Sequence, residues 1–573
     1  MGEIIDLRSG YGSDGIYRCL RPPVQMLEEE EMDLVTVFFS GNAGNPSFAN
    51  VAALVDAETG QKITFGELRV LVRSIAAGLA ELGVRKGSVV LVLMGNSIYF
   101  PALFMAITSI GAIITTMNPV NTRHEIAKQM QDSGARFVIT VPELVHKVEG
   151  GVEESLPLVL LGNNNPLSVK NNNNNNRRSF LSVTPFSKLL TTDPDKAPRR
   201  VRIRQTDTAA LLYSSGTTGA SKGVIIPHRS FIAAQIIVGH MSQFRVPRVP
   251  PGVSEVFLGL VPFFHVFGLG LVACAELRRG VTVVVMSKFG GVADLLETVQ
   301  KYKVTYLPVV PPIVMALCSP GVTDPYDLSS VLCIGCGAAP LSKELTERCN
   351  QKIPNATVDQ GYGLTESTSM GTSTVRLSHD MKQQDLKAHY GSAGWLMNMI
   401  EARVVDVQTG RSLPPNQVGE LWMRGPSIMQ GYLNNVEATA ATLDKDGWLH
   451  TGDLVYIDDI GCLFVVDRIK ELIKYKGFQV APAELEGILT SHPSIHDAAV
   501  VPLADKEAGQ VPVAYIVCKP HQSVTEKEVL DFVAEQVAPY KKLRRVTIID
   551  AIPRSSSGKI LRRELTQQPP SKL

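Results

Sequence analysis

The chain has 573 residues, in which 56 Lys and Arg residues nearly balance 55 Asp and Glu residues. Its hydrophobic fraction of 45% and charged fraction of 19% are typical of a globular enzyme, and the length suggests about three or four folding units. The balanced charge provides no general attraction to nucleic acid or to an anionic membrane surface. We therefore expect no nucleic-acid partner, and any recognition of charge must occur at local sites.

The first half of the chain alternates between helical patterns and buried strands. Apolar residues at helical spacing predict a helix over residues 65–82. The most apolar stretch, residues 99–116, is interrupted by Pro and Gly and is shorter than the ~20 residues of a membrane span. It predicts a core helix followed by a buried strand, and no transmembrane segment. Continuous apolar runs at 89–93, 137–141 and 281–285 predict strands covered on both faces, hence an α/β architecture.

Residues 163–176 contain two runs of asparagine around a short mixed segment. Such a composition buries too little apolar surface to offset the entropy lost when a chain becomes ordered. We expect a disordered surface insertion here, without functional residues.

A loop rich in hydroxyls and glycines follows the apolar run at 209–213, which predicts a buried strand. Glycines turn backbone N–H groups inward, hydroxyls add donors and a lysine adds positive charge, which suits a polyphosphate. The loop is not a Walker A motif, because Lys222 follows Ser221 and precedes Gly223. A flexible surface loop is the alternative interpretation. The candidate phosphate-binding residues are Ser214, Ser215, Gly216, Thr217, Thr218, Gly219 and Lys222.

Eight cysteines are scattered without the spacing of a disulfide framework, and the N-terminus lacks the basic and apolar regions of a signal peptide. Both observations favour reduced thiols in an intracellular compartment. Cys333 and Cys336 form a CxxC pattern, but no second pair and no nearby histidine accompany them. We therefore expect a buried strand with two incidental thiols there, rather than a metal or redox site.

Three later clusters combine glycine with charged or aromatic residues. In the stretch 360–366, two glycines allow close backbone approach, Tyr362 offers a flat ring for a purine, and Glu366 offers an oxygen ligand for Mg²⁺. Further on, Asp453 follows a glycine and suits a ribose diol. The third cluster is the basic stretch 467–479 with the distant Lys559, where glycines beside the cations favour an anionic ligand. The alternatives are a turn with a solvated Glu, an Asp-containing turn and a solvated basic face.

Two features of the second half of the chain indicate a domain boundary and a targeting signal. About a hundred residues of mixed pattern follow a predicted strand at 461–466, enough for a small domain. We expect a large domain over residues 1–466 and a small one over 467–573. The sequence ends in Ser571-Lys572-Leu573, the peroxisomal address that an import receptor reads. We expect a peroxisomal protein with that receptor as a partner.

Taken in this order, the clusters resemble those of the adenylate-forming superfamily, which includes acyl-CoA synthetases, beetle luciferase and the adenylation domains of peptide synthetases. The resemblance extends from about residue 63 to residue 565 and is strongest to 4-coumarate–CoA ligase-like enzymes of the peroxisomal plant type. It rests on Pro262-Phe263-Phe264-His265 and on the stretches 361–366 and 474–486. It implies an α/β fold with a large multi-subdomain N-terminal α/β domain and a small mobile C-terminal α+β domain.

The resemblance also implies an activity. Family members activate a carboxylic acid with ATP and Mg²⁺ as an acyl-adenylate, releasing pyrophosphate, and CoA then displaces AMP to give a thioester. The chain is thus expected to be an acid–thiol ligase of the acyl-CoA synthetase type. Its substrates would be a carboxylic acid, ATP and CoA, and its cofactor Mg²⁺.

Family roles can be transferred to the matching residues of this chain. Beside the loop from Ser214 to Lys222, those implied for ATP or AMP binding are Gln360, Gly361, Tyr362, Thr365, Asp453, Arg468 and Lys559. Those implied for the acyl-adenylate pocket are Phe264, His265, Phe267, Gly337, Ala338, Gln360, Gly361, Thr365, Met370, Lys470, Lys474 and Gln479. Glu366 is implied as the metal ligand, and the catalytic residues are Lys559, Lys474 and His265. Lys559 would bridge the carboxylate and the α-phosphate. The CoA site, formed after the small domain turns about Lys470, is implied to contain Lys288, Lys476 and Gly477.

The sequence departs from true 4-coumarate–CoA ligases at two places near the acyl pocket. The segment Ser367-Thr368-Ser369-Met370 stands where they have Ala-Gly-Pro-Val, and Phe267 replaces a tyrosine that can bond a phenolic hydroxyl. Loss of that hydrogen-bond partner, together with a flexible methionine, favours a fatty or oxylipin-type acid, such as a jasmonate precursor, over a phenylpropanoid acid such as a hydroxycinnamate.

Three alternatives remain open from the sequence. A luciferase-like adenylating oxygenase shares the fold and the Ser-Lys-Leu tail. A peptide-synthetase module would need a carrier domain, which we do not expect in this sequence. A non-catalytic nucleotide-binding relative is disfavoured by the retention of Lys222, Glu366, Asp453, Arg468 and Lys559.

Overall fold

The computed structural model of the chain describes residues 5–148, 157–161, 182–198, 201–214, 221–245, 249–250, 253–377, 389–476, 478–505, 507–555 and 558–567, with the backbone only at Ser182, Gln479 and Gln567. Several sequence predictions lie outside these residues and stay predictions. They concern the Asn-rich insertion, the loop residues Ser215, Gly216, Thr217, Thr218 and Gly219, the CoA-site residue Gly477, and the tripeptide Ser571-Lys572-Leu573.

The largest sheet combines a parallel part with an antiparallel part. The parallel strands, in spatial order, are Thr357–Tyr362, Cys333–Cys336, Tyr306–Val309, Val256–Gly259, Thr282–Val285 and Ala52–Asp56, and Lys62–Thr64 pairs antiparallel with the last of them. The antiparallel part continues beyond Thr357–Tyr362 through Thr372–Ser373, Gly394–Leu396, Cys462–Arg468, Leu449–Ile457, Gly419–Arg424, Glu401–Val405 and Tyr17–Arg18. The strand Cys333–Cys336 is buried throughout, so the prediction of a buried strand there is confirmed, and all eight cysteines are free.

A second sheet forms the other half of the large domain. Its strands, in spatial order, are Gly431–Tyr432, Lys222–Pro227, Thr208–Ser214, Ile113–Met117, Val89–Leu93, Phe137–Thr140, Pro157–Leu160 and Ser182–Pro185. The predicted strands at 89–93, 137–141, 209–213 and 281–285 are confirmed, to within one residue at each end. Because parallel strands need crossover connections, helices cover the faces of these sheets and leave the strands buried.

Side-chain caps mark where some of the helices begin. The helix Phe65–Glu81 starts with a capping box, in which Thr64 accepts from the backbone of Glu67 and Glu67 reaches back to Thr64. Phe100–Ser109 is buried along nearly its whole length and leads into the strand Ile113–Met117, as predicted for residues 99–116. Within the described ranges, no helix has both the length and the apolar character needed to cross a membrane. Among the described residues of the large domain, the other α-helices are Leu34–Ser40, Arg123–Ser133, Val145–Val148, Phe186–Leu190, His228–Met241, Val292–Tyr302, Pro311–Leu317, Lys343–Lys352 and Val436–Thr442, and Phe267–Glu276 is π-helical.

A third sheet forms the smaller C-terminal domain. Its strands are Phe478–Val480, Ile473–Tyr475, Gly509–Cys518 and Ile495–Asp505 in spatial order, with Arg545–Ile548 parallel to Gly509–Cys518. The helices Pro482–Ser491, Glu526–Ala534 and Arg562–Gln567 accompany it, and the first two contribute to a separate apolar core. The α/β fold with a large and a small domain is therefore confirmed. The predicted boundary after residue 466 falls within the strand Cys462–Arg468 and stays a prediction.

Candidate active site

A cavity of about 560 Å³ opens where parallel strands of the largest sheet end. Val310, Gly337 and Gly363 follow the carboxyl ends of three neighbouring strands, and all three line the cavity. Ligands of open α/β sheets bind at this edge, because the connections there leave a crevice. We call one part of the lining the charged side; it comprises Ser214, Lys222, Tyr362, Glu366, Arg468, Lys470 and Lys559. We call the other part the apolar side; it comprises mainly Val238, Met241, Val261, Phe267, Leu271, Met370 and Val375.

On the charged side, Glu366 is held between two hydroxyl groups. Ser214 Oγ and Tyr432 Oη both donate hydrogen bonds to Glu366 Oε1, over 3.0 and 2.9 Å. Among the residues that the structure describes, none donates a hydrogen bond to Oε2. A carboxylate with one fixed oxygen and one free oxygen is suited to a hard cation such as Mg²⁺.

Tyr432 also contacts the predicted phosphate-binding lysine. Lys222 lies opposite Ser214 across two antiparallel strands, and its Nζ lies 4.7 Å from the centroid of the Tyr432 ring. This cation–π contact places the ammonium group against the same tyrosine that donates to Glu366. The sequence prediction missed Tyr432, because it lies 66 residues after Glu366 and carries no motif of its own.

Asp453 is buried behind the charged side rather than exposed on it. Tyr362 Oη donates to Asp453 Oδ2 over 2.6 Å, and Arg468 Nε lies 3.2 Å from Oδ1. The strand register places Arg468 directly opposite Asp453. Burial raises the pKa of Asp453, and the charge of Arg468 and the Tyr362 hydrogen bond oppose that rise. The carboxylate thus fixes the positions of two side chains that line the cavity.

Lys559 reaches the cavity from the small domain. The preceding Gly558 has a φ of 82°, which favours glycine, and a Cβ built there would lie 3.4 Å from Val310 of the large domain. Arg554 Nη1 donates to the Gly558 carbonyl over 2.8 Å, and Arg554 is itself paired with Asp497. The turn that carries Lys559 is therefore fastened to the small sheet while its tip lies against the large domain.

The surroundings of Lys559 lower the pKa of its ammonium group. Burial is the largest cause and the nearby charge of Arg468 adds to it, whereas Glu471 and Asp453 act in the opposite direction. Glu471 is held in place by an ion pair with Arg562 over 3.0 Å. An ammonium group that is partly desolvated interacts more strongly with an anion than one in bulk water.

Gln360 has a structural task beside the cavity. Its side chain donates to the Ser392 carbonyl over 2.9 Å and accepts from the Leu341 amide over 2.7 Å. These bonds tie the strand Thr357–Tyr362 to the turn that contains Ala338, whose φ of 69° is unusual for a residue with a side chain. The sequence candidates Gln360, Gly361, Gly337, Ala338 and Thr365 all line the cavity.

The apolar side contains three of the predicted acyl-pocket residues. His265, Phe267 and Met370 line it, and burial lowers the pKa of His265, which favours the neutral imidazole. A Cβ on Gly337 would lie 3.2 Å from the Phe267 ring, so the glycine allows the ring to lie close to the strand end. Phe267 begins the π-helical segment Phe267–Glu276, a helix type that is frequent at functional sites.

The structure does not bring every predicted residue to the cavity. The side chain of Phe264 packs against the apolar core instead. Lys288 and Lys474 are exposed to solvent, and Lys476 Nζ lies 6.0 Å from the ring of Tyr475. None of these four lines the cavity in this arrangement of the domains.

Sequence reasoning also missed three polar residues on the apolar side. Arg245, Tyr306 and Asp359 line the cavity beside Gly335. They come from a segment after a helix and from two separate strands, so no local pattern links them. Only the register of the parallel strands brings the last two together.

Comparison with known families identifies the class of protein to which this cavity belongs. Residues 43–433 match the family described as AMP-binding enzyme, and residues 484–559 match the AMP-binding enzyme C-terminal domain. The first match covers more than half of the chain. The chain therefore belongs to the AMP-binding enzyme family.

Curated relatives narrow the class. The chain is 46% identical to the probable CoA ligase CCL5 of Humulus lupulus, over 100% of this chain and 99% of that one. It is 45% identical to the peroxisomal OPC-8:0–CoA ligase 1 of Arabidopsis thaliana, over 98% of both chains. It is also 45% identical to 4-coumarate–CoA ligase-like 4 of Oryza sativa subsp. japonica, over 99% of both chains.

Solved structures agree with this class. An o-succinylbenzoate–CoA synthetase from Bacillus subtilis, in complex with ATP and a magnesium ion, matches with a TM-score of 0.72 and 27% identity over 92% of this chain and 98% of that one. An anthranilate–CoA ligase in complex with anthranoyl-AMP matches the fold with a TM-score of 0.78 and 24% identity over 94% and 97%.

The family and the relatives together define the activity of the protein. The protein is a carboxylate–CoA ligase, an acid–thiol ligase that forms an acyl-CoA thioester through an acyl-adenylate. ATP and CoA are its co-substrates and Mg²⁺ is its cofactor. The predicted resemblance to 4-coumarate–CoA ligase-like enzymes is confirmed, and the relatives favour neither the oxygenase nor the non-catalytic alternative.

Proposed function

We propose that the charged side of the cavity holds ATP for adenylation, with Lys559 at the α-phosphate and Lys222 with Ser214 near the leaving pyrophosphate. Thr365 would contact the α-phosphate, and Asp453 with Arg468 and Tyr362 would position the ribose. The supporting observation is that Glu366, Arg468 and Lys559, from distant parts of the chain, line one cavity. These three charged side chains surround a cavity of about 560 Å³, a volume within the usual range of small-molecule sites.

In the first step, a carboxylate oxygen of the acid attacks the α-phosphorus of ATP. The bond from that oxygen to phosphorus forms, and the bond from phosphorus to the bridging oxygen of pyrophosphate breaks. Negative charge grows on the α-phosphate oxygens, and the Lys559 ammonium group stabilises it. The same cation lowers the repulsion between the two anions as they approach, so positioning and stabilisation come from one side chain.

Glu366 is the residue that fits a metal ion best. Its Oε1 is fixed by Ser214 and Tyr432, while no described side chain or backbone N–H occupies Oε2. When bound there, Mg²⁺ would neutralise phosphate charge. The protein residues around it, Lys222 and Ser214, would orient the remaining phosphate oxygens.

For the second step, the CoA thiol loses its proton to solvent as its sulfur bonds to the acyl carbon, the bond from that carbon to the phosphate oxygen breaks, and AMP leaves. Lys474, Lys476 and Lys288 lie away from the cavity in the present arrangement. We propose that the small domain turns about Lys470, withdraws Lys559 and brings Lys476 and the neighbouring Gly477 to the CoA side. Lys474 and Gln479 would then accompany the adenylate, and His265 would lie between the acyl pocket and the CoA thiol.

The acid is proposed to be a fatty or oxylipin-type acid rather than a phenylpropanoid. Phe267 and Met370 line the apolar side, so neither position supplies a hydrogen bond to a phenolic hydroxyl. A relative at 45% identity is named an OPC-8:0–CoA ligase, which supports the same assignment.

The protein is further proposed to act in the peroxisome, with an import receptor binding Ser571-Lys572-Leu573. The same relative at 45% identity is named peroxisomal. A fluorescent protein fused in front of the chain should enter peroxisomes with these three residues present and remain outside when they are removed. Import of the truncated fusion would contradict the proposal.

The acid assignment is tested by an acid panel. Purified protein is incubated with ATP, Mg²⁺ and CoA and with cinnamates, medium- and long-chain fatty acids, and OPC-8:0. We expect CoA-dependent release of AMP with fatty or oxylipin-type acids at a kcat/KM about tenfold or more above that with cinnamates. Equal or higher kcat/KM with the cinnamates would overturn the assignment.

A further inference from the structure

The apolar side of the cavity ends in polar groups that the proposed chemistry does not use. Tyr306 begins the strand Tyr306–Val309, four residues before Val310 at the cavity edge, so it lies roughly 13 Å deeper along the sheet. Asp359 lies two residues before Gly361 on its own strand. The parallel register places Cys333 beside Tyr306 and Gly335 beside Asp359, so these residues share one face of the sheet.

A glycine permits this arrangement. A Cβ built on Gly335 would lie 2.2 Å from Tyr306 Oη and 2.7 Å from Tyr306 Cζ. No side chain fits between them, so the Tyr306 phenol crosses the strand Cys333–Cys336 only because position 335 has no Cβ. The Tyr306 ring is itself fixed, because it stacks on Phe257 with a centroid distance of 4.2 Å and an interplanar angle of 7°.

Several polar atoms at this deep end lack partners. No described residue forms a hydrogen bond with Tyr306 Oη, and among the described residues the Asp359 carboxyl accepts one hydrogen bond, from Cys333 Sγ to Oδ2 over 3.2 Å. Burial raises the pKa of both groups, so Tyr306 is a neutral donor and protonation of Asp359 is favoured. Polar atoms that stay unpaired where water is excluded are destabilising, so a ligand that pairs them gains affinity.

Arg245 closes the same end of the cavity. Its guanidinium carbon lies 4.9 Å from the centroid of the Tyr306 ring, and one of its nitrogens pairs with the fully buried Glu276. Its Nε and Nη1 are buried without a hydrogen-bond partner, and the Nη1 distance to Glu255 is 3.7 Å. The deep wall therefore offers several hydrogen-bonding groups, although the walls that lead to it are apolar.

We propose that Tyr306 and Asp359 form a hydrogen-bonding subsite that selects acids bearing a hydroxyl or carbonyl oxygen far from the carboxylate, over plain fatty acids of the same length. This inference rests on the proposed function, in which the apolar side holds the acyl chain. An oxygen on the substrate would accept a hydrogen bond from Tyr306 Oη and form a second hydrogen bond with the Asp359 carboxyl. A plain methyl end would leave both groups unpaired, and sites built to bond a polar group reject analogues that lack it.

The test compares matched acids and matched variants. Saturated fatty acids from octanoic to tetradecanoic acid are paired with their terminal hydroxy and terminal methyl ketone derivatives, and kcat/KM for CoA-dependent AMP release is measured for each. The wild-type protein should prefer the oxygenated member of at least one pair. In Tyr306→Phe, which keeps the ring stacked on Phe257, the preference should fall about tenfold. Asp359→Val should lower it in the same direction, with KM for ATP unchanged.

Tyr302→Phe is the control, because it deletes a tyrosine hydroxyl that donates to the Ala57 carbonyl over 3.0 Å outside the cavity. It should leave the preference unchanged. A preference that is absent in the wild-type protein, or unchanged in Tyr306→Phe, would overturn the subsite. Failure of the wild-type protein to release AMP with any acid would instead overturn the proposed function, so the two failures can be told apart.

Discussion

On the charged side of the cavity, Glu366 and Asp453 each accept hydrogen bonds or an ion pair from neighbouring side chains, whereas on the apolar side Tyr306 and Arg245 keep polar atoms without hydrogen-bond partners among the described residues. The charged side is therefore organised before any substrate binds, which is how a protein stabilises charge that develops in a reaction. At the deep end of the apolar side, the unpaired polar atoms would gain hydrogen-bond partners only from a bound substrate. One part of the cavity is thus suited to a reaction common to the family, and the other to a choice among acids.

The largest expected effect tests the charged side through Lys559→Ala. Loss of the ammonium group at the α-phosphate should lower acid-dependent ATP–pyrophosphate exchange by about 10²–10³-fold. Thioester formation from a supplied acyl-adenylate and CoA should stay within about twofold, because Lys559 is absent from that step. Lys527→Ala, an exposed lysine of the same domain, is the control and should change neither half-reaction. Equal loss of both half-reactions would contradict this division of roles.

The next effect concerns the metal. Glu366→Gln keeps a hydrogen-bond acceptor for Ser214 and Tyr432 but removes the negative charge, so the Mg²⁺ concentration for half-maximal exchange should rise about 10–100-fold. Glu437→Gln, at an exposed helix position, is the matched control. An unchanged Mg²⁺ requirement would mean that another residue holds the ion.

Asp453→Asn should have a smaller effect. The amide oxygen can still accept from Tyr362, but the ion pair with Arg468 is lost. We expect KM for ATP to rise about tenfold while KM for the acid changes by less than about twofold, since charge-assisted bonds contribute about 1.5–3 kcal/mol. A larger change for the acid than for ATP would contradict the placement of Asp453 beside the ribose.

The smallest effect is a shift in pH dependence. Adenylation needs Lys559 protonated, and its lowered pKa places the alkaline limb of exchange below that of an ordinary lysine. Glu471 raises this pKa, so Glu471→Gln should move the alkaline limb further towards lower pH. The control is Glu484→Gln, because the native Glu484 pairs with Lys541 elsewhere in the small domain. An alkaline limb that moves to higher pH in Glu471→Gln would contradict the assignment.

Short sequence patterns singled out several residues that the structure places at the charged side of the cavity. Glu366, Asp453 and Lys559 each lie in a local motif with glycine neighbours, so each could be singled out from a few adjacent residues. The helix Phe65–Glu81 and the strand Val89–Leu93 were predictable for a related reason, because their burial pattern repeats within a few residues. In each case the physical cause lies within a short segment of the chain.

The apolar side could not be predicted in the same way. Tyr306, Asp359 and Arg245 meet because parallel strands are in register and because Gly335 leaves room for a phenol. Neither condition is visible in a local pattern. Lys474 and Lys288 are likewise exposed away from the cavity, which no residue spacing encodes.

The most direct test of the difference between the two sides measures both properties, ATP binding and acid preference, in a variant of each side. KM for ATP and the kcat/KM ratio between a terminal hydroxy acid and its plain counterpart are measured in Asp453→Asn, in Tyr306→Phe and in the double variant. We predict that Asp453→Asn changes KM for ATP alone, that Tyr306→Phe changes the acid ratio alone, and that the two effects add in the double variant. If either single variant changes both quantities to a similar extent, the separation of the cavity into a reaction side and a selection side is wrong.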